Sequence, residues 1–407
     1  MKRANLKFNK PNLNYEIYET NILKKYLKRI KNFPLTIIDS GLGTGKTSAL
    51  VKFIHQNSKD NISWYQIEDS TLKSKQFWNN IYEGFKYHNL IAKEVKLDFN
   101  RKDLLQELDL LVSEYLLPLQ EDLYIIIDNF EFINDNQSIL ETVSYFVEIT
   151  PANIHLVISG RGEINFPKLP LWQVENKVLI IPDEVFKLNK KQIKEFSLKN
   201  YELFLSDSDC ELILEKTKGW ILAIDLIITE VEQGVELEAI LNDLRGKCKL
   251  LFEYLEYHLL DFIAVEDSEL KEFLLKSSLL STLEVKICNK FFQKDSSHQM
   301  IEKLIDWGVL IEKKADNKYQ YNPIIKEVLQ CKAEREYDRE KLLIKAKNIY
   351  NKENKITELI NYNLKINNKE EIIRLFKQNF NRWLEEDKLE SLKQVFEVLT
   401  KEDLIAN

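Results

Sequence analysis

Leu35-Thr36-Ile37-Ile38-Asp39-Ser40-Gly41-Leu42-Gly43-Thr44-Gly45-Lys46-Thr47 runs from a short apolar segment into three alternate glycines and a lysine–threonine pair. The apolar run has the length and β-branched content of a buried strand. A helical pattern follows from about Lys46 to His55, so the glycines fill a strand-to-helix turn. Only 10 glycines occur in 407 residues, and three of them stand within five positions. Such a cluster marks a backbone that needs unusual freedom. In this context the N–H groups of the loop and of the helix start converge on phosphates. Gly41, Gly43, Thr44, Gly45, Lys46, Thr47 and Ser48 are therefore the candidate phosphate-binding residues. Lys46 would reach the β and γ phosphates of ATP or ADP, and the Thr47 hydroxyl would hold Mg²⁺. A structural glycine turn is the alternative. The strict pattern has glycine where Ser40 stands.

Working outward, Ile62 to Glu68, Leu123 to Asp128, Ile154 to Ser159 and Lys177 to Ile181 read as further strands. Between them lie helical crossovers, including Asp103 to Leu117, which Pro118 stops. About five strands with long crossovers define an α/β fold with a parallel sheet. A phosphate loop needs an acid at a neighbouring strand end to order Mg²⁺. Asp128, closing Leu123-Tyr124-Ile125-Ile126-Ile127-Asp128, supplies it; a solvated Asp ending a buried strand is the alternative. Asn129 follows, where many hydrolytic ATPases carry a second acid, and an amide cannot accept a proton. Glu131 is a candidate substitute, although a solvated turn carboxylate is the simpler reading. Ser159-Gly160-Arg161 ends the next strand, so Arg161 projects toward the nucleotide edge and could sense the γ-phosphate. Its alternative is a surface ion pair.

After Pro182 the strand signals fade. Lys187 to Leu205, Ser208 to Lys216 and Trp220 to Glu232 read as short helices, with Gly219 as a stop. Helices around Leu251 to Phe262, Glu269 to Leu280 and Met300 to Gly308 precede two strand-like runs, Val309 to Glu312 and Lys318 to Tyr321, and a helix after Pro323. Helices closed by a small hairpin suggest a winged-helix unit. Tyr337 to Leu364 and Lys369 to Lys401 resemble helical-repeat packing. The expected architecture is multidomain: an α/β P-loop NTPase domain (1–182), a helical domain (183–248), a winged-helix domain (249–332) and the start of an α-helical, TPR-like repeat array (333–407).

Composition narrows the classes. A hydrophobic fraction of 44% with 11% aromatics excludes wholesale disorder. No apolar run approaches the ~18 residues that span a bilayer, and the basic start leads into polar residues. A soluble, cytoplasmic chain with no membrane partner is expected. With 58 basic against 65 acidic residues, a chain devoted to coating nucleic acid is disfavoured. Lys24, Lys25, Lys28 and Arg29 read as the solvated face of an amphipathic helix. The four cysteines, Cys210, Cys248, Cys288 and Cys331, show no metal-ligand spacing and read as reduced, mostly buried thiols.

The order of motifs resembles the MalT-like, LuxR-family transcriptional regulators, a branch of the STAND ATPases. It runs through PLTIIDSGLGTGKTSA, WYQIEDS, FWNNIYEGF, YIIIDNFEFIND, NIHLVISGR and TKGWILAIDL. FLLKSSLL, LIDWGVLIEK, YQYNPIIKEVL and YNLKINNKEEIIRLF continue it. The resemblance implies a nucleotide switch: an ADP-bound resting monomer that opens and self-associates on binding ATP and an inducer. DNA would be bound through a C-terminal domain not found in this chain, where the repeats also stop early. The resemblance places Trp220, after Gly219, near the adenine, although an aromatic at a helix start more simply packs into the core. It places Asn322 where the family has a histidine thought to contact the ADP phosphate. Asn129 likewise replaces a common second Asp, which implies slow hydrolysis. A P-loop enzyme, either a small-molecule kinase or a turnover ATPase, is the competing reading, and a degenerate scaffold the third.

Overall fold

The computed structural model describes residues 6–13, 17–57, 59–91, 97–99, 103–162, 164–261, 263, 267–314, 317–366 and 368–385. The chain divides into two compact units. One comprises Met1–Leu251 with Ile305–Val309, the other Phe252–Leu304 with Leu310–Asn407.

In the first unit the five anticipated strands are present: β1 (Leu35–Asp39), β2 (Asn61–Gln66), β3 (Leu123–Asp128), β4 (Ile154–Gly160) and β5 (Val178–Ile181). They form one parallel sheet in the order β2-β3-β4-β1-β5. Side chains of a strand alternate between faces, and the two cores follow that rule. Leu35, Ile37, Leu123, Ile125, Ile127, Leu156 and Ile158 point to one. Ile38, Tyr124, Ile126 and Val157 point to the other. The first face is covered by α3 (Ser74–Tyr87), α4 (Leu104–Leu111), α5 (Gln137–Ile149) and α6 (Leu169–Val174). The second is covered by α1 (Asn21–Arg29) and α2 (Lys46–Gln56). In α1, Leu23 and Leu27 are buried while Lys24, Lys25, Lys28 and Arg29 are exposed, so its charges are a solvated face. The helix read from Asp103 to Leu117 is α-helical through Leu111 and continues as a π turn over Val112–Leu116.

Three helices follow the sheet: α7 (Lys190–Tyr201), α8 (Asp207–Thr217) and α9 (Ile221–Glu232). The expected run from Lys187 to Leu205 is shorter at both ends. Asn189 caps the start of α7, and Glu202, with φ 54°, turns the chain out of it. At the end of α8 two left-handed residues, Lys218 and Gly219, turn the backbone, where only the glycine was anticipated.

The second unit holds a three-stranded antiparallel sheet, β6 (Leu283–Glu284), β7 (Ile311–Lys314) and β8 (Lys318–Tyr321), ordered β6-β8-β7. With the helices Ser268–Ser277, Val285–Phe292 and Pro323–Glu336 it forms the anticipated winged helix. Sequence reading missed β6 and the helix Val285–Phe292, and placed β7 two residues early. Val309 and Leu310 are apolar, but the ladder begins where Ile311 faces Tyr321. Lys326 Nζ donates to the carbonyls of Leu280 and Ser281 at 2.7 and 2.9 Å, and Gln330 to that of Ser278 at 2.8 Å. Carbonyls beyond a helix end are thereby satisfied by side chains. The helices Arg339–Lys352, Ile356–Lys365 and Lys369–Glu385 follow. The remainder of the expected helix to Lys401, and residue 262 of an earlier one, lie outside the described residues.

Candidate functional site

Parallel strands gather their carboxyl ends on one edge, and ligands of such sheets bind there. The loop after β1 leads into α2 through Gly45, whose φ of 94° suits glycine. Gly43 is also left-handed, and a Cβ there would lie 2.6 Å from the Leu222 side chain. That approach comes from the start of α9: Leu222 N–H donates to Gly43 O at 3.3 Å, and the Trp220 indole N–H to Leu42 O at 2.9 Å. Trp220 is thus a core residue, 3% exposed, whose polar edge holds the glycine loop. The first helical bond of α2 runs from Ala49 N–H to Gly45 O, so the N–H groups of Lys46, Thr47 and Ser48 precede its ladder.

Lys46 Nζ donates to the carbonyls of Ser40 and Gly41 at 2.5 and 2.7 Å. Burial lowers its amine to about 8; Glu131, Asp128 and Asp183 act against that shift, while Arg161 adds to it. Thr47 Oγ1 donates to Asp128 Oδ2 at 2.9 Å across the end of β4, bringing together the two anticipated Mg²⁺ ligands. Asp128 is 1% exposed, so its reading as a solvated residue is excluded.

Ser40, the departure from the glycine pattern, has a structural role. Its hydroxyl lies 2.7 Å from both Asp183 Oδ1 and Thr44 Oγ1. Asp183 also accepts from Gly41 N–H at 3.2 Å and pairs with Lys187 at 2.7 Å. Burial would raise this carboxyl, but Lys187, Ser40 and Gly41 together hold it below its ordinary range. Asp183 was missed by sequence reading. The signal available was a carboxylate just past a strand end, and it gains meaning only because β5 lies beside β1.

Arg161 and Glu131 pair with each other, Nε to Oε1 at 3.0 Å. The expectation of a solvated turn carboxylate at Glu131 is overturned: its side chain is 10% exposed, and burial raises its carboxyl against the pull of Arg161 and Lys46. The turn Phe130–Ile133 carries it inward because Phe130 and Ile133 anchor in the core. Asn129 adopts a left-handed φ of 61°, and its amide donates to Ile67 O at 3.4 Å. Asn322 belongs to the second unit, where its side-chain oxygen accepts from Ile324 N–H at 3.0 Å and caps the helix after β8. None of the four cysteines is in a disulfide, and Cys210, Cys248 and Cys288 are buried.

The sheet, the glycine loop and the Lys46, Thr47 and Asp128 constellation are those of a P-loop NTPase fold. Comparisons with known proteins agree. A family model described as MalT winged helix domain matches residues 263–341. The chain is 24% identical over 298 residues to the HTH-type transcriptional regulator MalT of Yersinia pestis, an alignment covering 72% of this chain and 32% of that protein. The corresponding protein of Yersinia enterocolitica is 22% identical over the same length. The chain thus spans about a third of the length of these curated relatives. A Walker-type ATPase of Pyrococcus abyssi superposes with a TM-score of 0.53 at 16% identity, covering 77% of this chain and 96% of that structure, a likeness of fold. The resemblance to MalT-like regulators read from the motifs is borne out. Among the described residues no helix is long and apolar enough to cross a membrane.

Proposed function

We propose that the chain is the nucleotide-dependent switch of a MalT-like transcriptional regulator. The observation that carries this reading is the Thr47–Asp128 hydrogen bond beside a lysine folded onto its own glycine loop. Lys46 would exchange two carbonyls for phosphate oxygens, and Thr47 with Asp128 would hold Mg²⁺, whose charge offsets that of the phosphates. Arg161 would sense the terminal phosphate. Hydrolysis would be slow: Asn129 offers no proton acceptor, and such a group is typically worth about 10²–10⁴-fold in rate. ADP would mark the resting state, ATP with an inducer the self-associating one. DNA would be bound by a part of the regulator beyond the described residues. In this reading Trp220 supports the loop from the adenine side, and the role in ADP retention that the resemblance implies for Asn322 belongs to the same proposal. The four-domain division at 182, 248 and 332 belongs to the same proposal.

The test is the Mg²⁺ dependence of ADP binding by calorimetry. Wild-type affinity should drop on chelation of Mg²⁺, while Asp128→Ala should bind ADP equally with and without the metal. Equal Mg²⁺ enhancement in both proteins would refute the assigned ligand pair. Rapid turnover that yields a phosphorylated small molecule would favour a kinase.

A further inference from the structure

Two cations, Lys46 and Arg161, and one buried carboxylate, Glu131, influence one another at the nucleotide edge of the sheet. Glu131 Oε1 pairs with Arg161 Nε at 3.0 Å, and Oε2 is buried without a hydrogen-bond partner among the described residues. A buried carboxylate oxygen without a donor is costly, so the carboxylate depends on Arg161 for its compensation. Gly308 lies against the arginine's aliphatic stem: a Cβ at position 308 would come 2.8 Å from Arg161 Cβ and 3.0 Å from Cδ. The guanidinium is therefore held by Glu131 while its stem is confined by backbone.

We infer that Glu131 is a positioning residue that holds Arg161 back and thereby sets the preference between nucleoside triphosphate and diphosphate. The inference rests on the proposed sensing role of Arg161. A diphosphate leaves the Arg161–Glu131 pair intact. A terminal phosphate must draw the guanidinium away or share it, and Lys46 is then engaged by phosphate as well. Glu131 would be left as a buried, unpaired charge, a cost that falls on the triphosphate state alone. Removing that charge relieves the cost where Arg161 is present to move.

The experiment measures dissociation constants for MgADP and for a non-hydrolysable MgATP analogue in four full-length chains: wild type, Glu131→Gln, Arg161→Ala and the double variant. Glu131→Gln should shift the ratio of the two affinities toward the triphosphate by about tenfold, the scale of one charge-assisted hydrogen bond. In the Arg161→Ala background the same change should move the ratio less than about twofold. Glu131→Asp, with its charge kept and its reach shortened, should fall between, and serves if the Gln variant does not fold. An unchanged ratio in Glu131→Gln would overturn the inference. So would an equal shift in both arginine backgrounds, which would reveal a general charge effect. A loss of hydrolysis without a change in ratio would make Glu131 the proton acceptor instead. A wild-type chain that binds neither nucleotide would overturn the nucleotide reading itself.

Discussion

Each compact unit contains a lysine tucked against backbone carbonyls, and the two have different surroundings. Lys46 donates to Ser40 and Gly41, and Lys326 to Leu280 and Ser281, at similar distances. Burial lowers both amines to about 8. What differs is their company. Lys46 lies in the fields of Glu131, Arg161, Asp128 and Asp183, beside a loop shaped by left-handed glycines. The charge that further shifts Lys326 is Lys365, another cation, and its carbonyl partners lie just past a helix end. A depressed lysine marks a functional site only when convergent charges and an anion-shaped backbone surround it.

The largest expected effect separates the two directly. Lys46→Ala should abolish MgADP binding in calorimetry, because no other side chain on the loop brings a positive charge to the phosphates. Lys326→Met should leave ADP affinity unchanged and lower stability by about 1–3 kcal/mol in a denaturant titration, as buried carbonyls lose their donor. The reverse pattern would break the comparison.

A pH series sharpens it. Bound phosphate favours the charged form of Lys46, so the complex holds more protons than the free protein above about pH 8. ADP affinity should be full below that pH and fall as pH rises through it, by up to about tenfold per unit; Lys46→Arg should abolish the slope. For Lys326 the relevant comparison is between the folded and the unfolded chain. Its folded value of about 8 lies below the ordinary 10.5, so the unfolded chain binds more protons between the two. Its contribution to stability should therefore rise with pH across that window, read as the difference between wild type and Lys326→Met.

A smaller effect probes the loop's support. Trp220→Phe keeps the buried ring and removes the indole N–H that Leu42 O accepts. It should cost about 1 kcal/mol of stability and weaken ADP binding a few-fold. No change in either would mean that the loop keeps its shape without this bond.

Much of this was legible in the sequence, for identifiable reasons. β1 and β3 are short, nearly continuous apolar runs, as strands buried on both faces must be, and β3 ends in Asp128. Lys46, Thr47 and Asp128 stand out in the sequence because a glycine loop and an acid at a strand end imply one another. Asp183 was not, since its contact with Ser40 depends on β5 lying beside β1, and strand order is not written in local pattern. Glu131 reads as a solvated residue in the sequence because its polarity outweighs the apolar anchors Phe130 and Ile133 on either side. β6, two residues long, is too short to carry a periodicity at all.

The most direct test of the account is to denature the purified chain, separate the released small molecules by chromatography and quantify any nucleotide. ADP is expected at close to one equivalent, or, for a chain isolated empty, one equivalent of MgADP taken up on titration and none by Lys46→Ala. A chain that neither releases nor takes up nucleotide, or a Lys46→Ala variant that binds ADP as wild type does, would contradict it.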